Sequence, residues 1–175
     1  LTCREITART ATMFTQRSYC GELNLAHDGK EVLVTGWVDK NRDLGGIVFL
    51  EIRDVSGIVQ AVFDSSISAE CATIAESARS EFVVRVEGIV RKRSEDTINP
   101  NIATGMIEIV ARSIQILNTS AVPPIPIDIR DFVAEEARLK YRYLDLRRED
   151  MQESTKKRHA VMQATRRYLC DNRFF

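Results

Sequence analysis

The chain has 175 residues with 25 basic and 25 acidic side chains, so its formal net charge is zero and singles out neither a nucleic acid nor a membrane surface as partner. Its 44% hydrophobic and 29% charged residues are those of a globular protein and exclude a disordered one. No apolar run reaches the ~20 residues of a membrane helix, and the opening LTCREITARTATMF lacks the apolar centre of a signal peptide.

The charge is unevenly placed. Residues 1–137 hold 14 basic and 20 acidic side chains, net −6, whereas residues 138–175 hold 11 and 5, net +6. The four cysteines, Cys3, Cys20, Cys71 and Cys170, are scattered without CxxC or Cys/His ligand spacing. That predicts neither a zinc site nor a disulfide framework, but a reducing, cytoplasmic protein. His27 and His159 each stand alone and read as surface histidines. Residues 1–12 precede a plausible initiator, Met13, and read as an upstream extension. The end, Arg173-Phe174-Phe175, leaves a helical pattern without a cap and reads as cut.

In chain order, residues 31–40 alternate Val32, Val34, Gly36, Val38 against Leu33, Thr35, Trp37, Asp39, a first strand. A Gly45-Gly46 turn leads to IVFLEIRD, and VSG at 55–57 turns into IVQAVF at 58–63, a hairpin. Residues 65–80 carry Ile67, Cys71, Ile74 and Ala78 at helical spacing, with Ser65 or Ser66 as cap. Residues 82–93 and 106–117 are two further strands joined by a polar loop. Three strands, one helix and two strands is the order of an OB-fold, a mainly β fold built as a five-stranded Greek-key barrel. Pro123, Pro124 and Pro126 then stiffen a hinge. Residues 132–150 are charged and helical, and 151–175 form an amphipathic helix with Val161, Thr165, Tyr168 and Leu169 on one side. The domain reading is an OB-fold at 13–118, a hinge with a short helix at 119–150, and a further helix at 151–175.

One position breaks the pattern of the second strand. With Val48, Leu50 and Ile52 inward, Phe49 shares the opposite, otherwise charged face with Glu51 and Arg53. Barrels of this kind bind single-stranded nucleic acid on the face of strands two and three, where a base stacks on an aromatic. Gln60 carries a donor and an acceptor for a base edge, and Glu108, between inward Ile107 and Ile109, accepts from an amino group. Arg42, Arg53, Arg91 and Arg93 border the same surface and suit phosphates. The alternation alone equally fits a solvated face with a packed Phe, or a glycan- or protein-binding barrel. Adjacent Glu149 and Asp150 diverge on a helix and read as a solvated turn rather than an acid–base pair.

The segments YCGEL, GWVDKNRDLGGIVFLEIRD, GIVQAVFD, ATGMIEI and above all EEARLKYRYLDLRR, spread in order from Met13 to Phe175, resemble the N-terminal part of bacterial-type aspartyl-tRNA synthetases. The resemblance implies an anticodon-binding barrel, a hinge and the entry to a class II catalytic domain. It implies that Phe49 stacks on the anticodon GUC of tRNA-Asp, that Gln60 and Glu108 read its bases, and that Arg42, Asp43, Arg79, Arg91, Arg93 and Asn99 support them. The intact enzyme would join aspartate to tRNA with ATP and Mg²⁺, as a homodimer. The motifs for that chemistry would lie beyond Phe175, so the resemblance implies no catalytic residue and no cofactor here. The family's Arg-rich run before Arg42 is replaced by Asp39-Lys40-Asn41, which removes one or two expected phosphate contacts. Leu44, where dual-specificity members often have His, leans to strict tRNA-Asp specificity. The reading from another class is a free-standing barrel that binds RNA or protein without a ligase role.

Overall fold

The computed structural model describes residues 17–127 and 132–174, so the expectations for residues 1–12 and Met13 lie outside the described residues. The chain divides into two compact units between Val122 and Pro123.

The first unit is a closed five-stranded barrel. Its strands are β1 (Glu31–Asp43), β2 (Ile47–Arg53), β3 (Ile58–Asp64), β4 (Val83–Lys92) and β5 (Ile107–Asn118), with α1 (Ala69–Ser77) between β3 and β4. The ring runs β1-β2-β3-β5-β4, antiparallel except where β3 meets β5. Closure removes both sheet edges and leaves one apolar interior. Val34, Val38, Leu50, Ile52, Val59, Phe63, Val84, Val86, Ile107 and Ile109 fill it. The inward triplet of β2 is thus the one its alternation predicts.

Three local readings change. β1 continues past residue 40 to Asp43, and its register shifts between Val38 and Lys40. A bulge adds one residue and re-aims the next side chain, so Asp39 is buried rather than outward. The helix starts at Ala69, not at 65, because the Asp64 carboxylate accepts from Ser66 N (2.8 Å) and Ser66 Oγ (2.6 Å). That Asx-type turn competes with helix over the first residues. The cap is Ser68, whose Oγ accepts from Cys71 N at 3.3 Å, and Ile67 is exposed.

The YCGEL segment closes one end of the barrel. Cys20 N donates to Asp54 Oδ2 (2.9 Å) and Gly21 N to Ser56 Oγ (2.7 Å), while Cys20 and Leu23 join the core. A Cβ on Gly21 would strike the Ser56 carbonyl, so only glycine permits this approach. Burial, followed by the charge of Asp54, pushes the Cys20 thiol up, which leaves it inert. Burial alone would raise Asp54, but hydrogen bonds from Ser56, Cys20 and Gly57 outweigh it and hold the carboxyl below its usual range.

The second unit is built on a small apolar cluster. Ile125, Ile127 and Leu144 are buried, with Val133, Ala137 and Tyr141 packed against them. The continuous helix expected over 132–150 is broken into α2 (Glu135–Lys140) and α3 (Arg142–Asp145), with Tyr141 off the helical conformation at φ −108°, ψ 43°. The break serves Asp145. Its fully buried carboxylate accepts from Arg138 Nε at 2.7 Å and from Arg142. These hydrogen bonds from Arg138, opposed by desolvation and aided by the arginine charges, lower the Asp145 pKa. The long helix α4 spans Glu149–Asp171, two residues earlier than predicted. Glu149 and Asp150 are its exposed first turn, where acidic groups favour the helix dipole. No residue of α4 is buried, and Val161, Tyr168 and Leu169 are exposed.

Candidate nucleic-acid interface

Strand register gathers much of the candidate site into one row. Lys40 on β1 pairs with Glu51 on β2, Glu51 with Gln60 on β3, and Glu108 on β5 with Arg91 on β4. The parallel pairing of Ala61 with Ile109 sets Gln60 beside Glu108, closing the gap between β3 and β5. Read across the barrel, the row is cation, carboxylate, amide, carboxylate, cation. Beside it, Phe49 pairs with Arg42 on one side and Val62 on the other. The sequence pattern predicts an exposed Phe49. The side chain is half-buried, flanked by neighbouring strands yet still open on one side.

The polar centre of the row is hidden. Glu51, Gln60 and Glu108 are each less than a tenth exposed. Buried polar groups must find partners, and these do so along the row. Gln60 Nε2 donates to Glu108 Oε2 at 3.5 Å. Arg91 donates to Glu108 Oε1 through Nε (3.1 Å) and Nη2 (2.6 Å). Glu51 takes Arg42 Nη2 at 3.0 Å and Lys40 Nζ at 3.5 Å. An alternating Glu/Arg face is usually solvated, but here the strands curl and the long cationic side chains lie across the carboxylates.

Arg93 differs from the expected phosphate contact. It is only 5% exposed, donates Nε to Ile107 O (2.9 Å) and Nη1 to Thr97 O (3.2 Å), and lies 3.8 Å from Glu108 Oε2. Burial lowers its pKa, opposed by the charges of Glu108 and Glu51. Its Nη2 is buried without a hydrogen-bond acceptor among the described residues. Arg53 also departs from expectation. Its guanidinium is bound to Asp39 and, at 2.6 Å, to Glu81, so it ties β2 to the turn before β4 rather than facing phosphate.

Three expected residues stand outside the row, Asp43 at the end of β1 and Arg79 and Asn99 on connecting loops. Asp43 Oδ1 accepts from Gly45 N at 2.9 Å and shapes the β1–β2 turn, whose Gly45 and Gly46 have φ of 73° and 102°. Arg79 is exposed just after α1, its carbonyl accepting from Phe82 N. Asn99 lies in the β4–β5 loop, where Oδ1 accepts from Asn101 N (3.0 Å) and the backbone N donates to Gly105 O (3.1 Å).

Sequence reasoning missed two residues. Glu51 was read only as a charge on an outward face, and its burial follows from the curl of the sheet. Asn41 was counted as a lost phosphate contact. Its amide instead donates to carbonyls at the end of α1, Ala78 O at 2.7 Å and Ala75 O at 3.0 Å, which ties β1 to that helix. The only advance signal for Asn41 was its amide, a donor of two hydrogens where the neighbours are charged.

Another concavity, a cleft of about 560 Å³, lies where β1, β4 and β5 adjoin. Its arginines are committed, Arg85 to Glu87 (2.7 Å) and Arg112 to Glu31 (2.5 Å). Among the described residues no group of three or more His, Cys, Asp or Glu side chains gathers as a metal site.

Comparison with known proteins gives two family matches. Residues 32–117 match the OB-fold nucleic acid binding domain, and residues 134–175 match class II tRNA synthetases of the D, K and N group. The aspartate–tRNA ligase of Listeria monocytogenes serotype 4a is 51% identical over 158 residues, 90% of this chain and 27% of that protein. The aspartate–tRNA ligase of Staphylococcus aureus strain Newman is 45% identical over 164 residues, 93% of this chain and 28% of that protein. The chain therefore spans about a quarter of the length of these relatives. Among solved structures, the asparaginyl-tRNA synthetase of Pyrococcus horikoshii complexed with asparaginyl-adenylate superposes with a TM-score of 0.76 at 30% identity, covering 89% of this chain and 34% of that one.

Proposed function

We propose, for a chain that belongs to the class II aspartyl-tRNA synthetase family, that the barrel recognises the anticodon loop of tRNA-Asp. The observation that carries this reading is the half-buried Phe49, registered between Arg42 and Val62 beside the row that holds the Gln60–Glu108 pair, on the strands where such barrels meet single-stranded nucleic acid. A base stacks on Phe49, and Arg42, its registered neighbour, supports that contact. Gln60 and Glu108 offer a donor and acceptors to base edges, and Arg93, beside Glu108, supports them from below. Arg91 serves the phosphate side, while Asp43, Arg79 and Asn99 act from outside the row.

For the longer protein, the proposal extends to ATP- and Mg²⁺-dependent ligation of aspartate to tRNA-Asp by a cytoplasmic homodimer. This chain supplies the recognition half of that task and no step of the ligation is derived from its residues. The test is a titration with two labelled anticodon stem-loops, one carrying GUC and one GCC, at a single salt concentration. Preference for GUC by about 1 kcal/mol or more supports base reading. Equal affinity would reduce the barrel to a general RNA binder, and no binding would reject the reading.

A further inference from the structure

We infer that Glu51 is a positioning and specificity-determining residue: its buried carboxylate neutralises Lys40 and Arg42 so that base contacts, rather than phosphate charge, select the RNA. The inference rests on the anticodon reading above.

The geometry behind it is asymmetric. The Glu51 side chain is 6% exposed, whereas Lys40 and Arg42, which both reach it, are each 56% exposed. A carboxylate withdrawn from water is costly unless its partners compensate, and the hydrophobic isostere would serve packing at least as well. A negative charge on an RNA-facing surface also opposes phosphate. Both costs point to a role other than stability. Glu108 repeats the arrangement on the far side of Gln60, with Arg91 and Arg93 as its cations. Four cations against two carboxylates leave the face with a net charge of +2 instead of +4.

Free cations bind any phosphate. Each one that neutralises a phosphate of single-stranded nucleic acid steepens the dependence of log K on log salt by ~0.7. That affinity is the same for every sequence and dilutes discrimination, which is a difference between two affinities. Held by Glu51, Lys40 contributes little to it. Arg42 is also fixed in direction, its Nη2 on Glu51 and its backbone opposite Phe49.

The experiment titrates the full 175-residue chain and its Glu51→Gln and Glu51→Asp variants with the GUC and GCC stem-loops over a series of salt concentrations. Glu51→Gln is expected to steepen the salt slope by ~0.7 to ~1.4, one or two released cations. It is also expected to strengthen GCC binding about threefold or more relative to GUC. Glu51→Asp keeps the charge and is expected to retain the slope and discrimination of the parent. An unchanged slope, with both affinities falling in the same proportion, would overturn the inference and leave Glu51 a structural residue. If Glu51→Gln does not fold, Lys40→Gln decides. A slope changed by much less than ~0.7 supports neutralisation, and a full ~0.7 flattening overturns it. Failure of the parent reading is seen separately, as equal binding of the two loops by the unsubstituted chain. The slope of Glu51→Gln on either loop still reports whether the carboxylate masks the cations.

Discussion

The barrel and the helical unit solve the same problem with different means. The barrel buries a continuous set of some twenty apolar side chains and closes its own edges. Among its described residues the helical unit clusters three buried apolar side chains and depends on Asp145, a carboxylate held by arginines from two short helices. Apolar burial is non-directional and tolerates replacement, whereas a buried ion must have every partner in place. The RYLDL stretch therefore has a structural role. Leu144 enters the apolar cluster and Asp145 organises the arginines around it.

The comparison can be broken or sharpened in order of expected effect. Phe63→Ala removes a fully buried ring from the barrel and is expected to cost about 3–5 kcal/mol. The barrel's unfolding midpoint in urea measures it, and a cost under about 1 kcal/mol would show that the barrel core is not what holds that unit.

Asp145→Asn keeps the shape but removes the charge, and is expected to destabilise the helical unit by on the order of 2 kcal/mol. Loss of helical circular dichroism at lower denaturant, with the barrel transition unmoved, is the expected record. The same residue sets a pH dependence. Because its folded pKa is lowered, its contribution is complete above the ordinary Asp range and is lost as pH falls through the lower folded value. The helical unit is therefore expected to lose structure at acid pH in the parent and not further in Asp145→Asn. An identical acid transition in both would assign it elsewhere.

Phe49→Ala tests the barrel's face instead of its core. It is expected to weaken binding of the GUC stem-loop by ~1–3 kcal/mol, with a change in barrel stability well below that of Phe63→Ala, since Phe49 is only half-buried. The smallest effect is expected for Val161→Ser on α4, within about 0.5 kcal/mol in urea unfolding, because the side chain is 66% exposed. A larger loss would mean that this helix face is covered in solution.

Much of the barrel was legible before any coordinates. Period-2 alternation identified the inward residues of β2, and the glycine pair marked the turn where positive φ is needed. The candidate row was legible only in part. Phe49, Gln60 and Glu108 stood out as residues on the outer face, but alternation assigns a side chain to a face and not to a depth. Glu51 is buried on the outer side because Lys40 and Arg42 of β1 lie over it, and Arg93 because it turns in to Ile107 O and Glu108 of β5 and to Thr97 O. Arg53 and Asn41 were misread for a related reason: their partners, Glu81 and the carbonyls of Ala75 and Ala78, are brought near by closure of the ring.

By itself the sequence determined the order of strands and helices, which strand faces are apolar, and the family that the chain resembles. Those properties depend on local periodicity, turn residues and contiguous motifs. Tertiary structure decided which charges are neutralised. A bulge at Asp39 and the β3–β5 parallel contact set those pairings, and Coulomb energies turn on ångström separations and burial that no local pattern encodes.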